Sequence, residues 1–94
     1  MGVLVILEMN GDTEALLAAA ADLEERRPNP AVLARMTAPT ETGVVVCTHW
    51  ESAAARDAFQ AQPEHAEALK ASGLMDAVTD MSSRVFGDAE LSIR

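Results

Sequence analysis

Two segments of this chain, Val3 to Met9 and Val44 to Trp50, place apolar residues on both sides of an extended backbone. In the first, Val3, Val5 and Leu7 alternate with Leu4 and Ile6; in the second, Val44, Val46 and Trp50 alternate with Val45 and Cys47. Strands that are apolar on both faces are buried on both faces. Ninety-four residues make one domain, 1–94, and cannot supply a second layer on each side of a sheet. A chain of this length buries only about 60–65% of its unfolded surface. The natural cover for the second face is another copy of the same sheet. The expectation is a homodimer whose two sheets face each other, with room for a cavity between each sheet and its helices.

The rest of the chain supplies the partners of these strands. The first strand ends at Asn10-Gly11, a turn signal, and Asp12 or Thr13 can cap a helix that runs to Arg27. Leu16, Ala20 and Leu23 recur on that helix at helical spacing, with Leu17 widening the stripe. Glu14 complements the positive end of the helix dipole and Arg26-Arg27 the negative end, and Pro28 and Pro30 stop it. Ala31 to Ala38 is a weaker strand, with Val32, Ala34 and Met36 alternating against Leu33, Arg35 and Thr37. The turn at 38–43 joins it to Val44–Trp50 as a hairpin.

Ser52 opens the next helix, whose inner face is expected at Ala55, Phe59, Gln62, Ala66 and Leu69. Pro63 interrupts it and starts a further segment, where a missing amide costs nothing. Gly73 fits the position just past a helix end. Residues 74–80 form a connection to a short strand, Met81 to Phe86, with a last extended piece at Ala89 to Ile93. The order β-α-β-β-α-β defines an α+β, ferredoxin-like plan with a four-stranded antiparallel sheet.

Net charge is −8, which repels polyanions and disfavours nucleic acid and anionic membranes as partners. Three aromatic residues are a poor endowment for base stacking. One cysteine allows neither an internal disulfide nor a structural zinc site. The apolar start reaches Glu8 without a basic region or a small-residue cleavage site, so it is expected to be a first strand, not a signal peptide. No apolar run approaches the roughly 18–20 residues that span a bilayer. The expectation is a cytoplasmic protein.

Strand 1 closing at NGDTEALL, the hairpin 31–50 and above all HWESAAARDAFQAQPEHAEAL make the chain resemble the small dimeric α/β-barrel proteins of the antibiotic biosynthesis monooxygenase superfamily. In that superfamily a strand ends in tryptophan, followed by an acidic or polar pair and a helix broken near a proline-histidine. The resemblance covers the whole chain as a pattern, through short and degenerate motifs. It implies a dimeric α/β barrel. Relatives include cofactor-free monooxygenases, haem-degrading enzymes, cyclases and many proteins without known activity.

Residue by residue, Trp50 matches the strand-terminal tryptophan that lines the cavity in quinone-forming members. Their companion asparagine corresponds to Val46, and a companion tyrosine falls near Arg56. The tryptophan and histidine of the haem-degrading branch correspond to Phe59 and Leu69, so the resemblance does not extend to haem degradation and implies no cofactor.

Candidate site residues follow. Cys47 and His49 share a strand face, about 6–7 Å apart by strand rise, which is poor geometry for a thiolate–imidazole pair; Cys47 is expected as a buried residue facing the helices. His49 can serve as a general base, since imidazole titrates near neutrality, or can sit half exposed at the strand end. Trp50 can line the cavity or pack as core. Arg35, a charge within an apolar strand, must pair with an acid such as Glu8 or meet a ligand oxygen. Glu8 can contact substrate or be exposed before the turn, and His65 can guard the cavity mouth or lie solvated on an acidic helix. No spacing of histidines and carboxylates suggests a metal site, and no glycine-rich phosphate loop is present.

Two functions fit. One is a cofactor-independent monooxygenase or cyclase acting on an aromatic or polyketide-like molecule, with Trp50, His49 and Arg35 catalytic and Glu8 and His65 binding substrate. The other is a non-catalytic dimeric domain that binds a small apolar ligand or serves assembly. A pocket over Trp50 on which Arg35 and a histidine converge favours the first.

Overall fold

The computed structural model describes residues 2–90. The elements run β1 (Gly2–Gly11), α1 (Thr13–Arg26), β2 (Val32–Pro39), β3 (Gly43–Trp50), α2 (Ala53–Ala61), α3 (Pro63–Ser72), α4 (Leu74–Ala77) and β4 (Val78–Ala89). The four strands form one antiparallel sheet in the order β2-β3-β1-β4, and it is open at both ends. This is the ferredoxin-like topology, with the two doubly apolar strands at the centre, where pairing on both edges removes their backbone groups from water.

The helix signals act as local chemistry requires. The Asp12 carboxylate accepts from the Ala15 amide at 2.9 Å, and the Ser52 hydroxyl from the Ala55 amide at 3.0 Å. Each satisfies a first-turn donor that has no partner inside the helix. Pro63 stands at the first position of α3, and Gly73 takes φ 78° to end it, a conformation that costs glycine little.

Register sorts the side chains. Opposite pairs Val3–Trp50, Val5–Thr48, Leu7–Val46 and Met9–Val44 face the helices, while Leu4–His49, Ile6–Cys47 and Glu8–Val45 face away from them. Cys47 therefore lies on the face opposite the helices, not towards them, because it pairs with Ile6 rather than with Val5 or Leu7. The core beneath the helices divides into two clusters. Met9, Leu16, Ala19, Val44 and Leu74 pack at one end, with Leu16 fully buried, and Val3, Val5 and Trp50 pack at the other.

Three further expectations are corrected. Residues 74–80 are not a plain connection: Leu74–Ala77 is a turn of helix and β4 begins at Val78. β4 then continues through Gly87 and Asp88 to Ala89, twelve residues in place of a short strand and a separate extended piece. Of the expected last piece, residues 91–93 lie outside the described residues. On β2, the register shifts between Val32 and Ala34, so Leu33 is an extra residue. The shift breaks the simple alternation: Val32 packs with Trp50, while Ala34 stands opposite His49 on the other face.

Candidate functional site

Between the two core clusters, helices and sheet do not close on each other, leaving a cavity of about 590 Å³. That volume lies within the range of about 300–1,000 Å³ usual for small-molecule sites. The sheet supplies Val5, Leu7, Val46 and Trp50 as its floor; α1 contributes Leu17, Ala20 and Leu23; α2 and α3 contribute Arg56, Phe59, His65 and Leu69. The cavity follows from composition. The alanines of α1 reach less far than the leucines and methionines that fill the end clusters, so the middle of the sandwich stays unfilled.

An aromatic row crosses one wall. Trp50 and Phe59 meet edge to face at 5.8 Å between centroids, and Phe59 meets the His65 ring in the same way at 5.4 Å. The Arg27 guanidinium lies 3.8 Å from the Phe59 centroid, donates to the Phe59 carbonyl at 3.1 Å and bonds the Gln62 side chain. These contacts tie the end of α1 to the α2–α3 corner. Burial, and then the Arg27 charge, push the His65 pKa down from 6.5, which keeps its imidazole neutral and able to accept a proton at neutral pH.

The charge of the cavity opposes that of the chain. Three of the six arginines, Arg27, Arg35 and Arg56, line it, and among the described residues its only acidic neighbour is Glu24. Arg35 pairs with Glu24 across β2 and α1 at 3.2 Å, not with Glu8. That pair is half exposed and worth no more than about 1 kcal/mol. Among the described residues Arg56 makes no ion pair, and its Nε is buried without a hydrogen-bond partner.

Of the five site residues expected from sequence, Trp50, Arg35 and His65 converge on the cavity. His49 and Glu8 do not. Strand alternation sends both to the opposite sheet face, and His49 is buried there, not half exposed, in the space that Gly2 leaves free of a side chain. The histidine that lines the cavity is His65. Sequence reasoning missed Arg27 and Asn29 as cavity residues, had Phe59 on the inner face of its helix, and reached Arg56 only as a position matched by resemblance. The available signal was Arg56 and Phe59 three apart, which puts both on one side of a helix. The inner face drawn through Gln62 and Ala66 was wrong, because the helix stops at Ala61 and both residues are exposed.

Among the described residues no group of three or more His, Cys, Asp or Glu side chains is placed to hold a metal ion, and no helix is long and apolar enough to cross a membrane.

Comparison with solved structures finds the same fold in proteins of this size. A protein described as an antibiotic biosynthesis monooxygenase from Bacteroides thetaiotaomicron is similar at TM-score 0.70 and 20% identity, over 99% of this chain and 94% of that one. SnoaB, a cofactor-independent oxygenase from Streptomyces nogalater, is similar at TM-score 0.67 and 16% identity, over 96% and 95%. A dimeric ferredoxin-like protein of unknown function from Bacteroides fragilis is similar at TM-score 0.65 and 14% identity, over 90% and 94%. No family model matches the chain, and no curated protein matches it. The resemblance read from the strand-to-helix corner is thus matched in three dimensions, at the level of the fold.

Proposed function

We propose that this chain, with the fold shared by antibiotic biosynthesis monooxygenases and SnoaB, is a cofactor-independent monooxygenase acting on an aromatic or polyketide-like phenol. One observation carries the reading: a largely apolar cavity over Trp50 on which a neutral histidine and arginines converge. An electron-rich phenol or enol can react with oxygen unaided once it is an anion, so the protein need only make and hold that anion away from water. His65 accepts the hydroxyl proton. Arg35 holds the resulting oxyanion, and Trp50 and Phe59 hold the ring. The anion then gives electrons to dioxygen. One oxygen atom becomes the new carbonyl of a quinone; the other leaves as water with the single hydrogen of the oxidised ring carbon and the hydroxyl proton that His65 took up.

Two copies pair through the free sheet face in this reading. Leu4, Ile6, Val45 and Cys47 are only half buried there, and Met36 and Phe86 are 71% and 45% exposed. The similar protein from Bacteroides fragilis is described as dimeric. Cys47 is a free thiol, in keeping with a reducing, cytoplasmic compartment.

The alternative is a dimeric ligand-binding domain without catalysis, favoured by Val46, an apolar side chain where quinone-forming relatives carry asparagine. Oxygen-electrode assays with anthrones and naphthalenediols separate the two. Oxygen uptake matched by quinone formation, slowed about 100-fold in His65→Gln, is the expected result. Uptake no faster than the uncatalysed rate across the panel, with the ligands bound, would leave the binding domain.

A further inference from the structure

Four buried side-chain nitrogens among the described residues have no hydrogen-bond partner: those of Asn29, His49, Arg56 and His65. Three of the four belong to residues that line the same cavity. Buried polar groups are nearly always paired, since leaving one unmet costs about 1–3 kcal/mol and more when it is charged. A ligand in that space, met by a small rotation of these side chains towards it, is the partner that could satisfy them.

Their chemistry is specific. Asn29 sits in the turn between α1 and β2, where its Oδ1 accepts from the Ala31 amide at 3.0 Å. That bond fixes which end of the amide is which and leaves Nδ2 as a donor. Arg56 sits on α2, and its Nε is a second donor, part of the planar guanidinium edge that matches two oxygens of one acid. Arg27 and Arg35 are engaged, the first with Phe59 and Gln62, the second with Glu24. Arg56 is therefore the cavity arginine whose side chain has no hydrogen-bond, ion-pair or cation–π partner among the described residues. Two buried donors, one of them cationic, call for two acceptor oxygens carrying negative charge. A phosphate ester would bring a third oxygen, and the one unmet group left, the neutral His65 imidazole, is the acceptor that the substrate hydroxyl needs.

We infer that the cavity selects aromatic carboxylates, the carboxylate seated on Arg56 with Asn29 as its second donor. This rests on the cavity reading above and adds the substrate's charge and the residues that read it. It also accounts for the concentration of arginine within a chain of net charge −8, where an anion would otherwise be repelled.

The test compares 3-hydroxy-2-naphthoate with its carboxamide, equal in size and ring system, by titration calorimetry. The acid is expected to bind about tenfold or more tighter than the amide, and to weaken as salt is raised. Arg56→Gln is expected to bring the two affinities together, while Arg56→Lys, which keeps charge but not the planar edge, retains part of the difference. Should Arg56→Gln fail to fold by circular dichroism, the acid–amide ratio and its salt dependence in the unaltered protein decide alone. Equal affinity for acid and amide, or no binding of either at millimolar concentration, overturns the inference, as does tighter binding of naphthyl phosphate than of the acid. Oxygen uptake is read separately. Selectivity for the acid without uptake sinks the oxygenase reading and leaves this one; uptake with acid and amide bound equally does the reverse.

Discussion

The Arg27 guanidinium lies over the Phe59 ring at 3.8 Å from its centroid and donates to that residue's own carbonyl. One side chain from the end of α1 thus holds both the ring and the backbone of the last turn of α2. Replacing Arg27 with Met keeps the length of the side chain and removes the charge. The loss of the cation–π contact and the hydrogen bonds should cost about 1–2 kcal/mol, read as a lower thermal midpoint. The same substitution should raise the pKa of His65, since the Arg27 charge is one of the two causes that depress it. A His65 resonance that titrates unchanged in this variant would count against that electrostatic link.

His65 makes stability depend on pH. Its folded pKa lies below the ordinary 6.5, so as pH falls the unfolded chain takes up the proton first. The contribution is complete above 6.5, is lost progressively below it, and levels off once pH passes under the folded value. His65→Gln should remove this acid-side decline from denaturation curves measured across that window. Catalysis, if His65 is the base, should rise with pH through the same lowered pKa. A rate profile unaffected by His65→Gln would separate the base from this residue.

The free sheet face should hold a second copy. Sedimentation at micromolar concentration is expected to give a dimer, and Met36→Asp or Phe86→Asp, each a charge placed on an apolar exposed position of that face, should give a monomer. Monomeric behaviour of the unaltered chain would overturn the pairing.

Gly2 and His49 test the packing of the face away from the cavity. A methyl group at Gly2 would meet the His49 ring and the Trp50 carbonyl, so Gly2→Ala should destabilise by about 1–3 kcal/mol in chemical denaturation. In the core proper, Leu16→Ala should cost about 2–5 kcal/mol, because the side chain is fully buried between α1 and the sheet.

Much of the fold was legible in local chemistry. Asp12, Ser52, Pro63 and Gly73 punctuate helices through contacts with their immediate neighbours, so their effects could be read one segment at a time. Apolar residues on both sides of Val3–Met9 and Val44–Trp50 marked them as strands covered on both faces, and the structure places both at the centre of the sheet. On the sheet the site was legible where a residue's face followed from simple alternation, as for Trp50, and on the helices at His65, just past the break at Pro63. His49, one position earlier, necessarily points the other way, so adjacency in sequence concealed opposite destinations across the sheet.

What sequence determined, then, were the elements as far as Gly73, their order and the two-faced hydrophobicity of the central pair, all of which depend on neighbours a few residues apart. Tertiary structure decided which side chains share the cavity. Arg27, Arg35, Arg56 and His65 come from four different elements or their ends, and no period relates them. Their meeting depends on the bulge at Leu33, on the break at Pro63 that turns His65 inward, and on the short alanines of α1 that leave space for anything to bind. Each is a consequence of packing between distant segments, and packing is not written at any single position.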